Sequence, residues 1–358
     1  MLNLPAFQLR PFPDELLSAF LVRSAHAHGM TPHRFCRMYL PREIAIWTRD
    51  IDCTARRPLL QEVARLNRFD LDRAYEMILQ TPPVTVAVVS IAEREACFSQ
   101  WVNAVGVYHR NRTRFGLQYC PQCLADRPTF VRSWRFSFVT VCPMHHCSLL
   151  DRCSSCGSSV VPHRSYRLTR CHRCGAFLSE ARSRSPAADL ERSLHIQERF
   201  IRAMRGESMK VGTDIVPAVD FLAGALAILG QIKEKLHSHP TLISLPADFV
   251  VGTQPLRLAT SDDRARWMMV LEGLLEEWPS QFLRLAAACA MSQAGFARYR
   301  VPEWLGAVVT QLPLRTRSRC PWGRGSLSAR VRRIEAAGGR SCRAERAMVL
   351  MSAAQERR

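Results

Sequence analysis

Lysine is nearly missing from this chain. Of the 50 basic residues among 358, only Lys210, Lys233 and Lys235 are lysines. They follow Met209, Ile232 and Glu234, so there is no Gly-Lys-Ser/Thr loop to wrap a nucleotide's phosphates. Nucleotide hydrolysis by that route is excluded. Acidic residues are also scarce: 31 against 50 basic ones leave a formal charge of +19. Such an excess points to a polyanionic partner, nucleic acid before membrane, although a GC-rich genome alone inflates arginine.

Long apolar runs are absent too. Val84–Ala92 is short, and Val216–Ile232 is interrupted by Asp220, Gly224 and Gly230, whereas a membrane span needs about 20 apolar residues. No membrane partner is expected. The opening MLNLPAFQLRPFPDELL lacks the charged and apolar regions of a signal peptide. We therefore expect a cytoplasmic protein whose 14 cysteines stay reduced. With 47% apolar and 23% charged residues the chain is globular, long enough for two or three domains of roughly 100–200 residues each.

What the chain does have is clustered cysteine. Eight of the 14 fall between Cys120 and Cys174. YCPQC places Cys120 and Cys123 at C-x-x-C spacing, VCPMHH places Cys142 and His145 likewise, and RCSSCG and RCHRCG repeat it with Cys153/Cys156 and Cys171/Cys174. A C-x-x-C turn lets two thiolates converge on one ion, and two such knuckles complete a tetrahedral zinc site. The simplest assignment is sequential: Cys120, Cys123, Cys142 and His145 for one Zn2+, and Cys153, Cys156, Cys171 and Cys174 for a second. An interleaved cross-brace remains an alternative, as do His146 or Cys147 in place of His145. His163 and His172 read as exposed bystanders. Four ligands per ion leave no open coordination position, so both zincs are expected to be structural and the chain non-catalytic.

Between the first two knuckles, TFVRSWRFSFVTV alternates Trp134, Phe136 and Phe138 with Arg135 and Ser137, which predicts a strand with Arg132 and Arg135 near solvent. The favoured role of its aromatics is a small core beside the zinc. Interleaved cations and aromatics also suit nucleic acid, so Arg132, Arg135, Arg164, Arg167, Arg170 and Arg173 are candidate contacts. Residues 315–358 carry 12 arginines against three glutamates, a basic tail with a helix near 326–337 and further candidates in Arg330, Arg332 and Arg333.

The remainder reads as helical. Pro13-Asp14 starts a helix with Leu17, Phe20, Leu21 and Ser24 on one face; Gly29 ends it, and Thr31-Pro32 opens another through Tyr39. Pro58 precedes LLQEVARLN, Arg68–Asp70 turn, and Leu71, Ala74, Tyr75, Ile78 and Leu79 recur at helical spacing, the outline of a helix-turn-helix. Asp70, Asp72 and Glu76 against Arg73 make its second helix a poor reader of DNA, which favours protein docking or an architectural role. SEARSRSPAADLERS (Ser179–Ser193) reads as a linker, followed by helical segments near 214–237, 262–278 and 280–291. The expected fold is mainly α with small zinc-stabilised β-hairpins. Its divisions are 1–110 (N-terminal helical domain with the helix-turn-helix), 111–180 (tandem zinc fingers), 181–312 (C-terminal helical domain) and 313–358 (flexible tail).

These residues resemble the TniQ family, target-selection proteins of bacterial transposons related to TnsD. LPAFQLRPFPDELLSAFLVRSA resembles the family's opening stretch, IWTRDID (Ile46–Asp52) a block near the end of its first helical region, and LLEEWPSQF (Leu274–Phe282) a later helical motif. The segment Tyr119–Gly157 carries the most specific likeness. Phe20 stands where the family commonly has tryptophan, and the tail has no counterpart. The resemblance implies a zinc-finger protein without transposase chemistry. It would bind DNA or an RNA-guided DNA-binding complex, and recruit an AAA+ ATPase and through it the integrase. In one class of CRISPR-associated members it acts as a homodimer. A zinc-dependent helix-turn-helix transcriptional regulator is the alternative.

Overall fold

A computed structural model of the chain describes residues 5–41, 46–79, 97–105, 115–183, 189–238, 252 and 254–314. The arginine-rich stretch with Arg330, Arg332 and Arg333, the helix near 326–337, and Val84–Ala92 lie outside the described residues.

The described part is mainly helical. The N-terminal helices are α1 (Leu17–Ala27), α2 (Pro32–Tyr39), α3 (Ile51–Thr54), α4 (Arg57–Asn67) and α5 (Leu71–Tyr75). Thr31 caps α2 by accepting from the Arg34 N–H at 3.3 Å, with Pro32 at the first helical position, where its missing donor costs nothing. Gly29, at φ +64, breaks the chain between α1 and α2. The expectation of one buried face on α1 understates its burial. Leu17, Phe20 and Leu21 enter an N-terminal core with Phe35, Leu60, Val63 and Ile78, while Leu16, Ala19 and Val22 enter a second. A helix apolar nearly all round is buried nearly all round.

Helices α4 and α5 are joined by Arg68 in the left-handed conformation (φ 54, ψ 50). The helix–turn–helix outline is therefore present, but its second helix is only five residues long. Met77 and Ile78 leave it to pack into the N-terminal core.

Helix α6 (Pro121–Asp126) follows, then a region of single bridges instead of strands. The strand expected over Trp134–Phe138 is absent. Arg132–Arg135 form a 3-10 turn, Arg135 is buried, and Ser137 and Phe138 are both fully covered. Neighbours on both sides defeat the two-fold alternation, because Arg135 is drawn inward by two carboxylates instead of facing water.

The C-terminal part comprises α7 (Leu190–Met204), the hairpin β1 (Met209–Val211) and β2 (Asp214–Val216), and α8 (Ala218–Ser238). Beyond these lie α9 (Ser261–Glu276), α10 (Ser280–Ala288), α11 (Gln293–Phe296) and α12 (Glu303–Val309). The last part of the expected linker, Leu190–Ser193, is the first turn of α7, whose Ser193, Ile196, Gln197 and Phe200 are buried. The helix expected from residue 214 begins at Ala218, because 214–216 pair with 209–211 in register Met209↔Val216. The interruptions in Val216–Ile232 have a packing reason: a Cβ on Gly224 would sit 2.2 Å from the Trp304 ring. Among the described residues, no helix is long and apolar enough to cross a membrane. Lys233 is buried, donates to the Gln254 carbonyl, and has its pKa pushed down to about 8 by that burial.

An aromatic run joins the cysteine-rich segment to the C-terminal helices. Trp101 meets Phe138 and Phe200 at 6.1 and 4.7 Å between centroids, and Phe200 meets Phe221 at 5.1 Å. Offset and edge contacts of this kind add to simple area burial.

Candidate functional site

Three knuckles share one backbone. In each, the residue after the second ligand position donates its N–H to the first cysteine's carbonyl: His146 to Cys142 at 2.9 Å, Gly157 to Cys153 at 2.9 Å, and Gly175 to Cys171 at 3.0 Å. All three donors have positive φ, +50, +66 and +73. In each, the first cysteine's N–H also bonds across the turn, to the carbonyls of Cys147, Ser158 and Ala176 at 2.8–2.9 Å. Single bridges close the turns: Val141↔Ser148, Arg152↔Ser159 and Arg170↔Phe177. These stand where β-hairpins were expected. The fourth pair differs, because Cys120 is the N-cap of α6 and accepts the Cys123 N–H at 3.5 Å on its sulfur.

The side chains gather as two groups, each with its ligand atoms within 4.8 Å of one another: Cys120, Cys123, Cys142 and His145, then Cys153, Cys156, Cys171 and Cys174. They are consecutive in sequence, not interleaved. Four sulfurs about 2.3 Å from a tetrahedral zinc stand about 3.8 Å apart. The Cys123–Cys142, Cys153–Cys174 and Cys156–Cys171 sulfur pairs are 3.6, 3.7 and 3.7 Å apart. His145 turns Nδ1 to the sulfurs of Cys120, Cys123 and Cys142 at 3.5, 3.2 and 3.6 Å. Both sets fit a closed, four-ligand metal site.

Cys147 is near but outside this group. Its sulfur lies 3.6 Å from that of Cys120, and burial pushes its thiol up to about 12. The backbone repeat explains the choice between the neighbours. His145 stands at the position of Cys156 and Cys174, His146 at that of Gly157 and Gly175, and Cys147 at that of Ser158 and Ala176.

Residues 6–149 match the TniQ family. Over this stretch, less than half of the chain, the protein is similar to that family, which is one of transposition. No curated protein matches the chain. The matched region takes in α1–α6 and the first of the two groups that could hold a metal. It stops before Cys153, so the second group and Leu274–Phe282 lie beyond it.

Inside the TniQ region the Ile46–Asp52 block supplies the partners of Arg135. This guanidinium is 1% exposed and reaches Asp50 at 2.5 Å, Asp52 at 3.1 Å and the Asn103 carbonyl at 2.9 Å. Burial alone would favour the neutral guanidine, but Asp50 and Asp52 hold its pKa above the ordinary value. Burial pushes the Asp52 carboxyl up to about 6 against the opposing pull of Arg135. Arg135 is thus a fastener between the first helical region and the cysteine-rich segment, closed to phosphate. Arg132, half-exposed, pairs with Asp14 at 3.0 Å. Arg164, Arg167 and Arg173 are exposed, and Arg170 lies over the Phe177 ring at 3.7 Å. His163 is no bystander: it is buried and stacked on Trp47 at 4.8 Å.

The sequence alone missed Asp126, whose Oδ2 lies 3.1 Å from His145 Nε2. It also missed the buried Glu15, which pairs with Arg23 at 2.7 Å and accepts from Thr129 at 2.6 Å. The signal available for Asp126 was its place at the end of a helix opened by the CPQC knuckle.

Proposed function

We propose that this chain is a non-catalytic targeting adaptor of a DNA transposition system. It binds nucleic acid or a nucleoprotein, an RNA-guided complex included, and recruits an AAA+ ATPase and through it the integrase. The observation that carries this reading is the TniQ match over residues 6–149, with a complete Cys3His group inside it. Two structural Zn2+ ions are assigned to Cys120, Cys123, Cys142 and His145, and to Cys153, Cys156, Cys171 and Cys174. Their donor sets are saturated by protein, which leaves no position for substrate or a reactive water.

Reading DNA by the α4–α5 unit is disfavoured. Helix α5 spans five residues, about 7.5 Å at 1.5 Å per residue, and its Arg73 is paired with Glu76. A recognition helix needs exposed donors along the major groove.

Affinity purification of the tagged chain from its host, with mass spectrometry and sequencing of bound nucleic acid, tests the proposal. The expected result is co-purification of an AAA+ ATPase with DNA or a guide RNA complex. Recovery of a single promoter-like DNA and no ATPase would favour the transcriptional regulator instead.

A further inference from the structure

Two of the segments of this chain that lack any carboxylate meet in the fold. No Asp or Glu occurs between Glu15 and Glu43, nor between Asp151 and Glu180. The first carries Arg23, Arg34, Arg37 and Arg42; the second carries Arg152, Arg164, Arg167, Arg170 and Arg173. The fold sets these two segments face to face. They line a cleft of about 670 Å3 between the α1–α2 turn and the loop of the second knuckle pair. Its wall includes His26, His33, His163, Arg164 and Tyr166, and no acidic residue. Four thiolates around the second zinc would leave a net charge of −2 nearby, which Arg164, Arg167, Arg170 and Arg173 outweigh, Arg152 being paired with Asp151 at 2.8 Å.

Tyr166 is the feature that asks for a ligand. It is 91% exposed, the most exposed large apolar side chain among the described residues. The backbone carrying it is held firmly. Ser165 is buried, its hydroxyl lies 2.7 and 2.8 Å from the carbonyl oxygens of Arg167 and Arg170, and its own carbonyl meets His26 Nε2 of α1 at 3.2 Å. Beneath the rim, His33, His163 and Trp47 continue the aromatic surface, with ring centroids 5.9 and 4.8 Å apart. A rigidly presented ring with arginines on either side in sequence, over a cleft without carboxylates, has the chemistry of a base-stacking platform.

We propose that this cleft binds a nucleic-acid strand at unpaired nucleotides, with one base stacked on Tyr166 and the flanking phosphates held by Arg164 and Arg167. This rests on the reading of the protein as a nucleic-acid-binding adaptor and goes further, naming the strand state and the residue. An intact duplex hides its base faces, so only an unpaired base can meet the ring. DNA and RNA strands share that chemistry.

The test uses the full-length, zinc-loaded chain with fluorescent oligothymidylate, oligouridylate and a blunt DNA duplex, read by anisotropy. Tyr166→Ala is expected to weaken single-strand binding about tenfold, with duplex binding unchanged, whereas Tyr166→Phe keeps wild-type affinity. The side chain lies in solvent, so an unchanged melting temperature should accompany the loss. Whichever strand binds more tightly, DNA or RNA, identifies the sugar and supports the platform. Equal single-strand affinity in Tyr166→Ala and wild type would overturn the proposal and leave the adaptor reading standing. So would displacement of the oligonucleotide by polyglutamate as readily as by unlabelled strand. Absence of binding to all three probes would likewise overturn the proposal, while an adaptor that docks on a nucleoprotein would stand.

Discussion

Asp126 Oδ2 lies 3.1 Å from Nε2 of His145, on the side of the ring opposite the three sulfurs that face Nδ1. A carboxylate behind a ligating imidazole fixes its tautomer and raises its basicity. Asp126→Ala is expected to weaken metal at the first site about tenfold, towards the low end of the usual effect because Asp126 is largely exposed. Chelator competition on the purified protein checks this: one of two zinc equivalents should leave earlier than in wild type.

The backbone repeat yields a second expectation. His146 holds φ +50 where the sister knuckles use Gly157 and Gly175. A side chain in the left-handed region costs about 1–2 kcal/mol, against about 0.5–1 kcal/mol for glycine's extra chain freedom. His146→Gly should therefore stabilise the metal-loaded protein by about 0.5–1 kcal/mol, and Gly157→Val should destabilise it by about 1–2 kcal/mol. Denaturant midpoints at constant zinc content decide both.

Arg135 and Arg132 stand three residues apart and should behave very differently. Arg135 is buried between Asp50 and Asp52, so Arg135→Ala leaves uncompensated carboxylates and should cost about 3–5 kcal/mol. Arg132 pairs with Asp14 near the surface, and Arg132→Ala should cost no more than about 1 kcal/mol. Urea unfolding of the two variants, side by side, reads the difference.

Acid should weaken the fold through the cleft histidines. Burial lowers the His26 pKa despite its bond to the Ser165 carbonyl, and burial with the nearby Arg164 lowers that of His33. A depressed folded-state pKa means that the unfolded chain takes up more protons below about 6.5. Stability is thus fully present above that value, falls as pH drops through it, and levels off below the folded pKa. The zinc ligands titrate as well, so the informative comparison is between proteins: His33→Asn should show a shallower fall between pH 7.5 and about 5.5 than wild type.

Metal loss can be apportioned. Cys153→Ser should remove one zinc equivalent and leave the first group loaded, while Cys120→Ser should do the reverse. Elemental analysis giving two equivalents in either variant would reject the assigned ligands.

Much of this was legible before any coordinates. The helix breaks at Gly29 and Thr31-Pro32 are local chemistry, and α2 begins where Thr31 can cap it. That eight Cys and His positions form four pairs follows from knuckle spacing, which sets how far two donor atoms can be apart, whereas which pairs combine does not. Alternation over Trp134–Phe138 predicts a strand because periodicity reports only which side chains avoid water. It cannot know that Arg135 has Asp50 and Asp52 waiting 83–85 residues earlier. Leu190–Ser193 reads as linker because it continues a polar stretch, whereas the buried face of α7 emerges only against Glu272 and Met269 of α9. Asp126 and Tyr166 were invisible for the same reason. Their roles depend on what the fold places behind or around them.

The boundary at residue 149, where the likeness to TniQ ends, is not a seam in the fold. Two residues further on, the Asp151 carboxylate accepts the Ser261 N–H at 2.7 Å and so holds the first turn of α9. Before it, Gln197 of α7 accepts from the Thr140 N–H at 3.2 Å, and Phe138 rests against Phe200. A fragment trimmed to the family's own limits would strip the C-terminal helices from an aromatic face and leave backbone donors beside the first knuckle without their acceptor. The recognisable portion is therefore not a cartridge that could be cut from this chain with its packing intact.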